Sequence, residues 1–242
     1  MKPLYRFCKE YSDRYCGECN GNMQTNGEIF FLKSCLNDCR IVFDVGANRG
    51  DWTRSALEMK SRITVHCFEP IREMFTLLKG NNFPSNVYCN NFGLSSKKGQ
   101  MEIYLKVQSV YLRKGLNSGW GIKTPGQTEV IEMITLDEYC IQNKIETIDF
   151  LKCDVEGHEF HVFQGAMKMI REGRIKRIQF EYGGCNIDAR VLLMDIFDQF
   201  EGLGYTFFRI MPRKIIKIEE YDQRLENFVH KNFAILHNTI IA

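Results

Sequence analysis

The chain has 242 residues, of which 44% are hydrophobic and 26% charged, as expected for one folded domain with a sizeable core. Its net charge of +2 gives no electrostatic reason to expect a nucleic acid or an anionic membrane as partner. No apolar run approaches the roughly 18 residues of a membrane span, and the first ten residues lack the apolar stretch of a signal peptide. We therefore expect a cytoplasmic protein without a membrane span.

Residues 1–26 are predicted to form a helical extension, followed by a single domain over residues 27–242. Leu4, Cys8, Tyr11 and Tyr15 recur at a helical spacing in an otherwise charged segment. This apolar stripe predicts that the helix docks on the main domain or on a second copy of the chain, so a homo-oligomer is compatible with the sequence.

Ten cysteines raise the question of a metal site. Cys16, Cys19, Cys35 and Cys39 have a spacing that resembles that of zinc ligands. However, Cys35 and Cys39 flank the first predicted strand, where their side chains are needed for packing, and most of the others lie in apolar strands. We therefore predict free thiols and no bound metal at these positions.

From residue 27 onward, apolar strands alternate with helical patterns, which predicts a parallel sheet covered by helices on both faces. The predicted strands are Arg40–Val45, Ile63–Phe68, Asn86–Asn90, Met101–Val107, Glu129–Ile134, Ile148–Asp154, Ile175–Tyr182, Tyr205–Met211, Lys214–Ile218 and Asn232–His237. The predicted helices are Glu28–Leu36, Asp51–Met59, Arg72–Lys79, Gly157–Arg171 and Asp188–Leu203. The last three strands have no helix between them and predict antiparallel additions to the sheet.

A loop over residues 108–128 interrupts the alternation, and loops of this length in a compact domain are usually functional. It carries aromatic and basic side chains that suit a sugar ring and its substituents, namely Tyr111, Arg113, Lys114 and Trp120. We predict that residues 108–128 form a substrate-recognition loop, called the acceptor loop below; the alternative is a disordered surface insertion.

The first strand runs into a glycine-spaced turn, Asp44-Val-Gly46-Ala47-Asn48-Arg-Gly50. A turn of this kind before a helix forms a nucleoside-cofactor site, because glycine lets the backbone approach the ligand and the helix offers free N–H groups. A dinucleotide site requires G-x-G-x-x-G, whose middle glycine is missing here. Asp44 at the strand end would repel a pyrophosphate but suits an amino group or a sulfonium, so the pattern favours S-adenosylmethionine.

The next two strands end in further candidate cofactor residues. Glu69, in Phe-Glu-Pro, can accept hydrogen bonds from both ribose hydroxyls, although it could also simply cap the following helix. Asn91 and Phe92 could read and stack on adenine, or form a turn without a ligand.

At this point the chain resembles the FkbM methyltransferase family. The resemblance is carried by Asp44–Gly50, Phe68-Glu-Pro70, Thr135-Leu-Asp-Glu-Tyr139, Gln164-Gly-Ala, Phe180-Glu-Tyr182 and, most specifically, Asp154-Val-Glu-Gly-His-Glu159. It implies a Rossmann-like class I α/β fold with a mostly parallel seven-stranded sheet and antiparallel strands at the carboxyl end. It also implies binding of S-adenosylmethionine and O-methylation of hydroxyl groups, often of sugars or polyketides, and leaves the acceptor open.

The run Asp154–Glu159, called the acidic turn below, concentrates ionisable groups at the end of the fourth strand of the alternating series. Methyl transfer to an alcohol requires a base that takes the hydroxyl proton. We assign this role to His158, with Glu156 or Glu159 orienting the ring or binding the acceptor. Asp154 is expected to shape the cofactor pocket.

Glu181, at the end of the fifth strand of that series, is an alternative base or acceptor ligand. A divalent cation held by Asp154, Glu156 and Glu181 is a further alternative. The leading prediction is an O-methyltransferase acting on a saccharide or a glycosylated small molecule. The other two are an NAD-dependent oxidoreductase of Rossmann type and a non-catalytic cofactor-binding module.

Overall fold

A computed structural model describes residues 3–106, 108–111 and 126–241 of the chain. Its strands are β1 Ile41–Val45, β2 Thr64–Phe68, β3 Val87–Asn90, β4 Gly93–Leu94, β5 Gly99–Tyr104, β6 Thr128–Ile134, β7 Phe150–Cys153, β8 Arg177–Tyr182, β9 Tyr205–Met211, β10 Lys214–Ile218 and β11 Lys231–His237. Its α-helices are α1 Pro3–Cys16, α2 Glu28–Cys35, α3 Asp51–Met59, α4 Arg72–Gly80, α5 Leu136–Gln142, α6 Glu159–Gln164, α7 Met167–Arg171, α8 Cys185–Ala189 and α9 Leu193–Phe200. Single 3-10 turns lie at Leu36–Asp38, Gln223–Leu225 and Asn238–Ile240.

The main sheet has the strand order β3-β2-β1-β7-β8-β11-β9-β10. The five strands from β3 to β8 are parallel, and β11, β9 and β10 are joined by antiparallel pairing. The chain runs outward from β1 through β2 to β3 and then returns to the other side of β1 at β7. The carboxyl ends of β1 and β7 therefore flank the switch point at which ligands bind in doubly wound sheets.

Both faces of the sheet are covered, because successive residues of its central strands enter different apolar clusters. In β1, Phe43 packs with Leu151 and Phe163, whereas Val42 packs with Phe31 and Trp52 on the opposite face. This two-sided burial is why the central strands are continuously apolar rather than alternating. The predicted α/β class, with a mostly parallel sheet and antiparallel carboxyl-terminal strands, is confirmed.

The predicted number of seven strands is wrong for the main sheet, which has eight. The eighth strand at the edge is β10, which was itself predicted as a strand. It pairs along its whole length with β9 and places Ile215 opposite Ile210. The strands around the long loop do not join the main sheet. They form a second sheet of order β4-β6-β5. Apolar side chains of this sheet belong to a separate buried cluster.

Three helical predictions also need correction. The helix expected over 157–171 is divided into α6 and α7 at Gly165, where a Cβ would lie 2.0 Å from the Ser95 carbonyl oxygen. The helix expected over 188–203 is divided at Arg190, which has a φ of 58°. Helix α5 was not predicted, although the Thr135 hydroxyl accepts a hydrogen bond from the Glu138 N–H at its start.

Helix α1 has no buried residue, and Leu4, Phe7 and Tyr11 on it are more than half exposed. The apolar stripe is therefore not buried on the main domain, and the helix contacts that domain only near its carboxyl end among the described residues, where Arg209 donates to the Cys16 carbonyl and Lys214 contacts the Tyr15 hydroxyl. The division at residues 26 and 27 stays a prediction. Within the described ranges, the chain contains no helix long and apolar enough to cross a membrane.

Candidate active site

A cavity of about 440 Å³ opens at the carboxyl edge of the parallel strands, within the usual size range of small-molecule sites. It is bounded by the turn after β1, the end of β2, the acidic turn after β7 and one face of the small sheet. Of the predicted site residues, those that line it are Gly46, Ala47, Asn48, Glu69, Asp154, Glu156 and His158. The structure thus brings most of the predicted residues together.

The glycine turn after β1 has a left-handed backbone at Gly46, Asn48 and Gly50, with φ angles of 78°, 49° and 85°. A Cβ on Gly46 would lie only 1.8 Å from the carbonyl oxygen of Asp154. Gly46 is therefore required for the close approach of the ends of β1 and β7, a role that the sequence did not indicate. A Cβ on Gly50 would meet Leu78 at 2.8 Å, so this glycine packs against α4 and does not line the cavity.

Glu69 is the polar centre of the β2 end. It is 4% exposed, and its two carboxylate oxygens accept hydrogen bonds from the backbone N–H groups of Asn48, at 2.8 Å, and Ile71, at 2.9 Å. Burial raises its pKa to about 7. Because each carboxylate oxygen can accept a second hydrogen bond, Glu69 remains able to bind two vicinal hydroxyls in the cavity.

Asp44 does not face the cavity, contrary to the prediction. It is fully buried, accepts a hydrogen bond from the Thr53 hydroxyl at 2.7 Å and lies 3.3 Å from the Lys152 ammonium. The pairing of β1 with β7 sets Asp44 directly opposite Lys152, a register that is not visible in the sequence. Lys152 also contacts Asp154 at 3.4 Å and donates to the Gly46 carbonyl at 3.1 Å.

Asn91 and Phe92 are not at the cavity wall either, so their predicted contact with adenine is not supported. The Asn91 amide donates to the carbonyls of Glu69 and Pro70, at 3.0 and 3.1 Å, and so holds the loop after β2. The Phe92 ring packs against Phe68 and Tyr139 in the core.

An apolar wall occupies the place expected for Asn91 and Phe92. It is made of Ile71, Leu94, Ile103, Ile131 and Met133. Three of these side chains come from β5 and β6, where the buried Ile131 and Met133 alternate with the exposed Val130 and Glu132. That alternation is the signal that could have predicted a half-buried strand facing a site. These five residues were not predicted to line the site.

The acidic turn holds carboxyl groups that the protein does not fully satisfy. Glu156 has a φ of 54°, a strained value for a residue with a side chain. Its Oε2 atom is buried and has no hydrogen-bond partner among the described residues. Burial, and then the charges of Asp154 and Glu181, raise its pKa well above the ordinary value. Glu159 is fully buried, and burial raises its pKa to about 8.

His158 is held at both ring nitrogens. Its Nε2 atom lies 2.9 Å from the Ser95 hydroxyl, and its Nδ1 atom lies 2.8 Å from the Tyr111 hydroxyl. A neutral imidazole offers one donor and one acceptor, and both are used here. Burial, with a smaller contribution from His161, lowers the pKa of His158 to about 3. This arrangement argues against the predicted role of His158 as the base.

Glu181 lies behind the acidic turn, outside the described lining of the cavity, with His230 Nε2 3.0 Å from its carboxylate. The ligand atoms of Glu156, Glu181 and Cys185 lie within 4.8 Å of one another and could share an ion. However, burial strongly raises the pKa of the Cys185 thiol, and a neutral thiol is a poor ligand for a metal ion. We therefore base no reaction step on a metal.

The first arm of the predicted acceptor loop, residues 108–111, lies against the cavity. The Asn48 amide donates to Gln108 Oε1 at 2.7 Å, and the Ser109 hydroxyl donates to the Glu156 carbonyl at 2.7 Å. Arg113, Lys114 and Trp120 lie outside the described residues, so their predicted contacts with the acceptor stay predictions.

The residues present fit S-adenosylmethionine on two counts. Glu69 offers carboxylate oxygens to a ribose, and Asp154 and Glu156 place acidic groups in the same cavity. Because Lys152 pairs with Asp44, the charge of Asp44 does not disfavour a pyrophosphate in the cavity. Asp154 and Glu156, which line the cavity, disfavour it instead. Acidic groups in a low-dielectric cavity favour a cation over a polyanion.

Comparison with known proteins gives a match to the methyltransferase FkbM domain over residues 44–207. Hexuronic acid methyltransferase AglP of Haloferax volcanii is 26% identical over 157 residues, which are 64% of this chain and 62% of that protein. The chain therefore matches less than two thirds of the length of this relative.

Solved structures with a similar course of the chain include an rRNA methylase from Streptococcus thermophilus, with a TM-score of 0.48 at 13% identity, covering 87% of this chain and 93% of that one. Another is a precorrin-6y C5,15-methyltransferase from Geobacter metallireducens, with a TM-score of 0.46 at 10% identity, covering 90% and 92%. Both TM-scores lie below 0.5, so no conclusion about function rests on them.

The family match spans more than half of the chain and includes the glycine turn, Glu69 and the acidic turn. The predictions of this family, and with it of a methyltransferase domain that uses S-adenosylmethionine, are confirmed. The chain belongs to the FkbM methyltransferase domain family.

Proposed function

We propose that this protein transfers a methyl group from S-adenosylmethionine to a hydroxyl group of a saccharide or a glycosylated small molecule. The observation that carries the proposal is the placement of two different carboxylates in one cavity. Glu69 is held by backbone N–H groups, whereas Glu156 keeps a buried oxygen without a partner among the described residues. The first suits a ribose and the second suits a proton to be removed.

The cofactor would lie along the turn after β1. The Gly46–Asn48 backbone and the carboxylate of Glu69 would hold it, with the apolar wall of the small sheet on the other side of the cavity. When bound, S-adenosylmethionine supplies a methyl group on a positively charged sulfur, which keeps the electron pair of the broken S–C bond and becomes a neutral thioether.

Glu156 is the best-placed base for the acceptor. A neutral sugar hydroxyl is a weak nucleophile, and a positioned base contributes about 10²- to 10⁴-fold to such reactions. A positive charge in the cavity favours the carboxylate form of Glu156 and so counteracts the effect of burial on its pKa. The acceptor hydroxyl would give its proton to Oε2 of Glu156 as its oxygen forms the new bond to the methyl carbon.

The proposal of a sugar as the acceptor rests on the similarity to AglP, which is a hexuronic acid methyltransferase. Asp154 and Glu156, which line the cavity, offer carboxylate oxygens that can accept hydrogen bonds from hydroxyl groups.

The test is methyl transfer from isotopically labelled S-adenosylmethionine to a panel of neutral, amino and uronic sugars, with mapping of the methylated position. The Glu69→Ala variant should lose the thermal stabilisation by S-adenosylhomocysteine and the transfer together. The matched control, Glu73→Ala, changes an exposed carboxylate on α4 and should keep both. A wild-type protein that binds the cofactor yet methylates no sugar in the panel would contradict the proposed acceptor.

A further inference from the structure

His158 is a buried side chain of the acidic turn, and both of its ring nitrogens contact residues outside that turn. It is 4% exposed, and it connects Ser95, which follows β4, with Tyr111 of the loop. The two nitrogens of a neutral imidazole are thereby both occupied, so none is left for an acceptor hydroxyl.

The loop arm carrying Tyr111 makes two further contacts with the same cavity. Ser109 is 1% exposed, and its hydroxyl donates to the backbone carbonyl of Glu156 at 2.7 Å. The Gln108 carboxamide accepts from Asn48 in the glycine turn. Residues 108–111 therefore contact both the glycine turn after β1 and the acidic turn.

The arm is itself ordered by local hydrogen bonds. The Tyr104 N–H donates to the Ser109 carbonyl, and the Tyr111 N–H donates to the Ser109 hydroxyl, at 2.9 and 3.1 Å. The position of Ser109 is consequently linked to that of Tyr111, and through Tyr111 to His158.

These contacts bear on Glu156 because its backbone is strained. A left-handed φ of 54° persists only when neighbouring contacts hold it. The Ser109 hydroxyl holds the Glu156 carbonyl, and His158 holds the arm that carries Ser109. The direction of the Glu156 carboxylate into the cavity depends on this chain of contacts.

We propose that His158 is a positioning residue, which with Ser95, Ser109 and Tyr111 fastens the loop arm to the acidic turn and so aims the Glu156 carboxylate. This inference rests on the proposed function, since it assigns Glu156 the reaction with the acceptor. The low pKa of His158 agrees with it, because a group that stays neutral across the physiological range serves well as a fixed hydrogen-bond partner.

The test compares Tyr111→Phe, His158→Ala, His158→Asn and the double variant Tyr111→Phe/His158→Ala in methyl transfer. Tyr111→Phe should lower kcat about three- to tenfold, the factor that one hydrogen bond of ordinary strength provides, with unchanged affinity for the cofactor. The double variant should be no slower than His158→Ala, because both changes break the same contact, the hydrogen bond between Tyr111 and His158. His158→Asn, whose amide stands near the position of Nδ1 but cannot act as a base, should recover part of the rate. Tyr88→Phe, an exposed tyrosine on β3, is the control and should match the wild type.

The pH profile separates the two roles. If His158 positions Glu156, Tyr111→Phe lowers kcat equally at all pH values and leaves the acid limb of the profile in place. The proposal is overturned if Tyr111→Phe and the wild type have the same kcat while His158→Ala and His158→Asn are equally inactive. That pattern would make His158 the base.

Hydrogen exchange gives a readout that needs no acceptor and no turnover. In the cofactor-free protein, the Tyr104 and Tyr111 amides should exchange faster in His158→Ala than in the wild type, because the arm is no longer fastened. Unchanged exchange at both amides would refute the proposed contact chain, whereas absence of methyl transfer in the wild type with faster exchange in the variant would refute only the proposed function.

Discussion

The two sides of the cavity differ in how far the protein itself satisfies their charged groups. On the β1 and β2 side, both oxygens of Glu69 accept backbone hydrogen bonds. Behind the cavity wall, Asp44 accepts a hydrogen bond from Thr53 through one oxygen, and its other oxygen, without a hydrogen-bond partner among the described residues, is compensated by the Lys152 ammonium at 3.3 Å. On the β7 side, Glu156 and Glu159 each keep a buried carboxylate oxygen without a hydrogen-bond partner among the described residues.

We propose that this difference separates recognition of the cofactor from the chemistry of methyl transfer. A site that binds a cofactor in one fixed pose gains from carboxylates whose geometry is complete before the ligand arrives. A site that takes up a proton requires a carboxylate with a free oxygen and a raised pKa, and burial among like charges provides both. The predictions below test this contrast.

The largest effect is expected at Lys152, which joins the two sides through Asp44 and Asp154. Lys152→Met removes the cation and leaves Asp44 as an unpaired, fully buried charge, so the free energy of unfolding should fall by about 3–5 kcal/mol. Urea denaturation measures the change. Lys168→Met, on an exposed position of α7, should stay within about 0.5 kcal/mol of the wild type. Equal free energies of unfolding for the two variants would mean that the ion pairs of Lys152 do not stabilise the fold.

Glu69→Ala should weaken binding of S-adenosylhomocysteine about tenfold to a hundredfold. The reason is the loss of a charge-assisted hydrogen bond to a ribose hydroxyl, and one such bond contributes about 1.5–3 kcal/mol. Isothermal titration calorimetry measures the affinity, and Glu156→Gln provides the contrast because it changes the other side of the cavity. Weaker binding in Glu156→Gln than in Glu69→Ala would reverse the assignment of the two sides.

Gly46→Ala should lower the free energy of unfolding by about 1–3 kcal/mol, because the new methyl group would overlap the Asp154 carbonyl and because φ is 78°. Gly80→Ala is the matched control, since a Cβ there meets no atom within 4 Å. Thermal unfolding of both variants decides the point. A neutral Gly46→Ala would mean that the ends of β1 and β7 are not in close contact.

The affinity for S-adenosylmethionine should rise between pH 6 and pH 9 more than that for S-adenosylhomocysteine, which lacks the positive sulfur. Burial raises the pKa of Glu69 to about 7 and of Glu159 to about 8, and it also raises that of Glu156. These groups are protonated at low pH in the free protein, and a cation favours their ionised form, so its binding releases protons. The difference should be at most about tenfold per pH unit for each proton released. Calorimetry in buffers of different ionisation enthalpy counts these protons, and an unchanged ratio of the two affinities would contradict the prediction.

The smallest effect is expected far from the cavity. Removal of residues 1–14 should change the free energy of unfolding by less than about 0.5 kcal/mol, because α1 has no buried residue. Removal of residues 1–25 should cost more, since it also deletes Glu18, which contacts Lys231 at 3.4 Å. If the shorter truncation is the more damaging, α1 has a partner surface in solution.

The sequence predicted the sheet well because buried parallel strands are continuous apolar runs. It located Glu69 and the acidic turn correctly at strand ends for the same reason. The position of Asp44 depends on its register with Lys152, a contact between residues 108 positions apart, and no local pattern carries that information. The close approach of Gly165 to the Ser95 carbonyl likewise joins residues that are far apart in the chain.

Two features were within reach of the sequence. Thr135 and Glu138 have the spacing of a helix start, which predicts α5. The strand containing Ile131 and Met133 was predicted, and the two-residue spacing of these side chains places them on one face, which could have indicated that this face is buried. By contrast, the two hydrogen bonds of His158 join residues from three separate segments, so its environment is a property of the fold alone.

The most direct test of the account is single-turnover methyl transfer by Glu156→Gln, with S-adenosylmethionine bound and a saccharide accepted by the wild type. The variant keeps the shape of the side chain but cannot accept a proton. We predict that the cofactor affinity of the variant stays within about threefold of that of the wild type, and that its rate of methyl transfer falls by about 10²- to 10⁴-fold. A rate equal to that of the wild type would contradict the assignment of the reaction to the acidic turn.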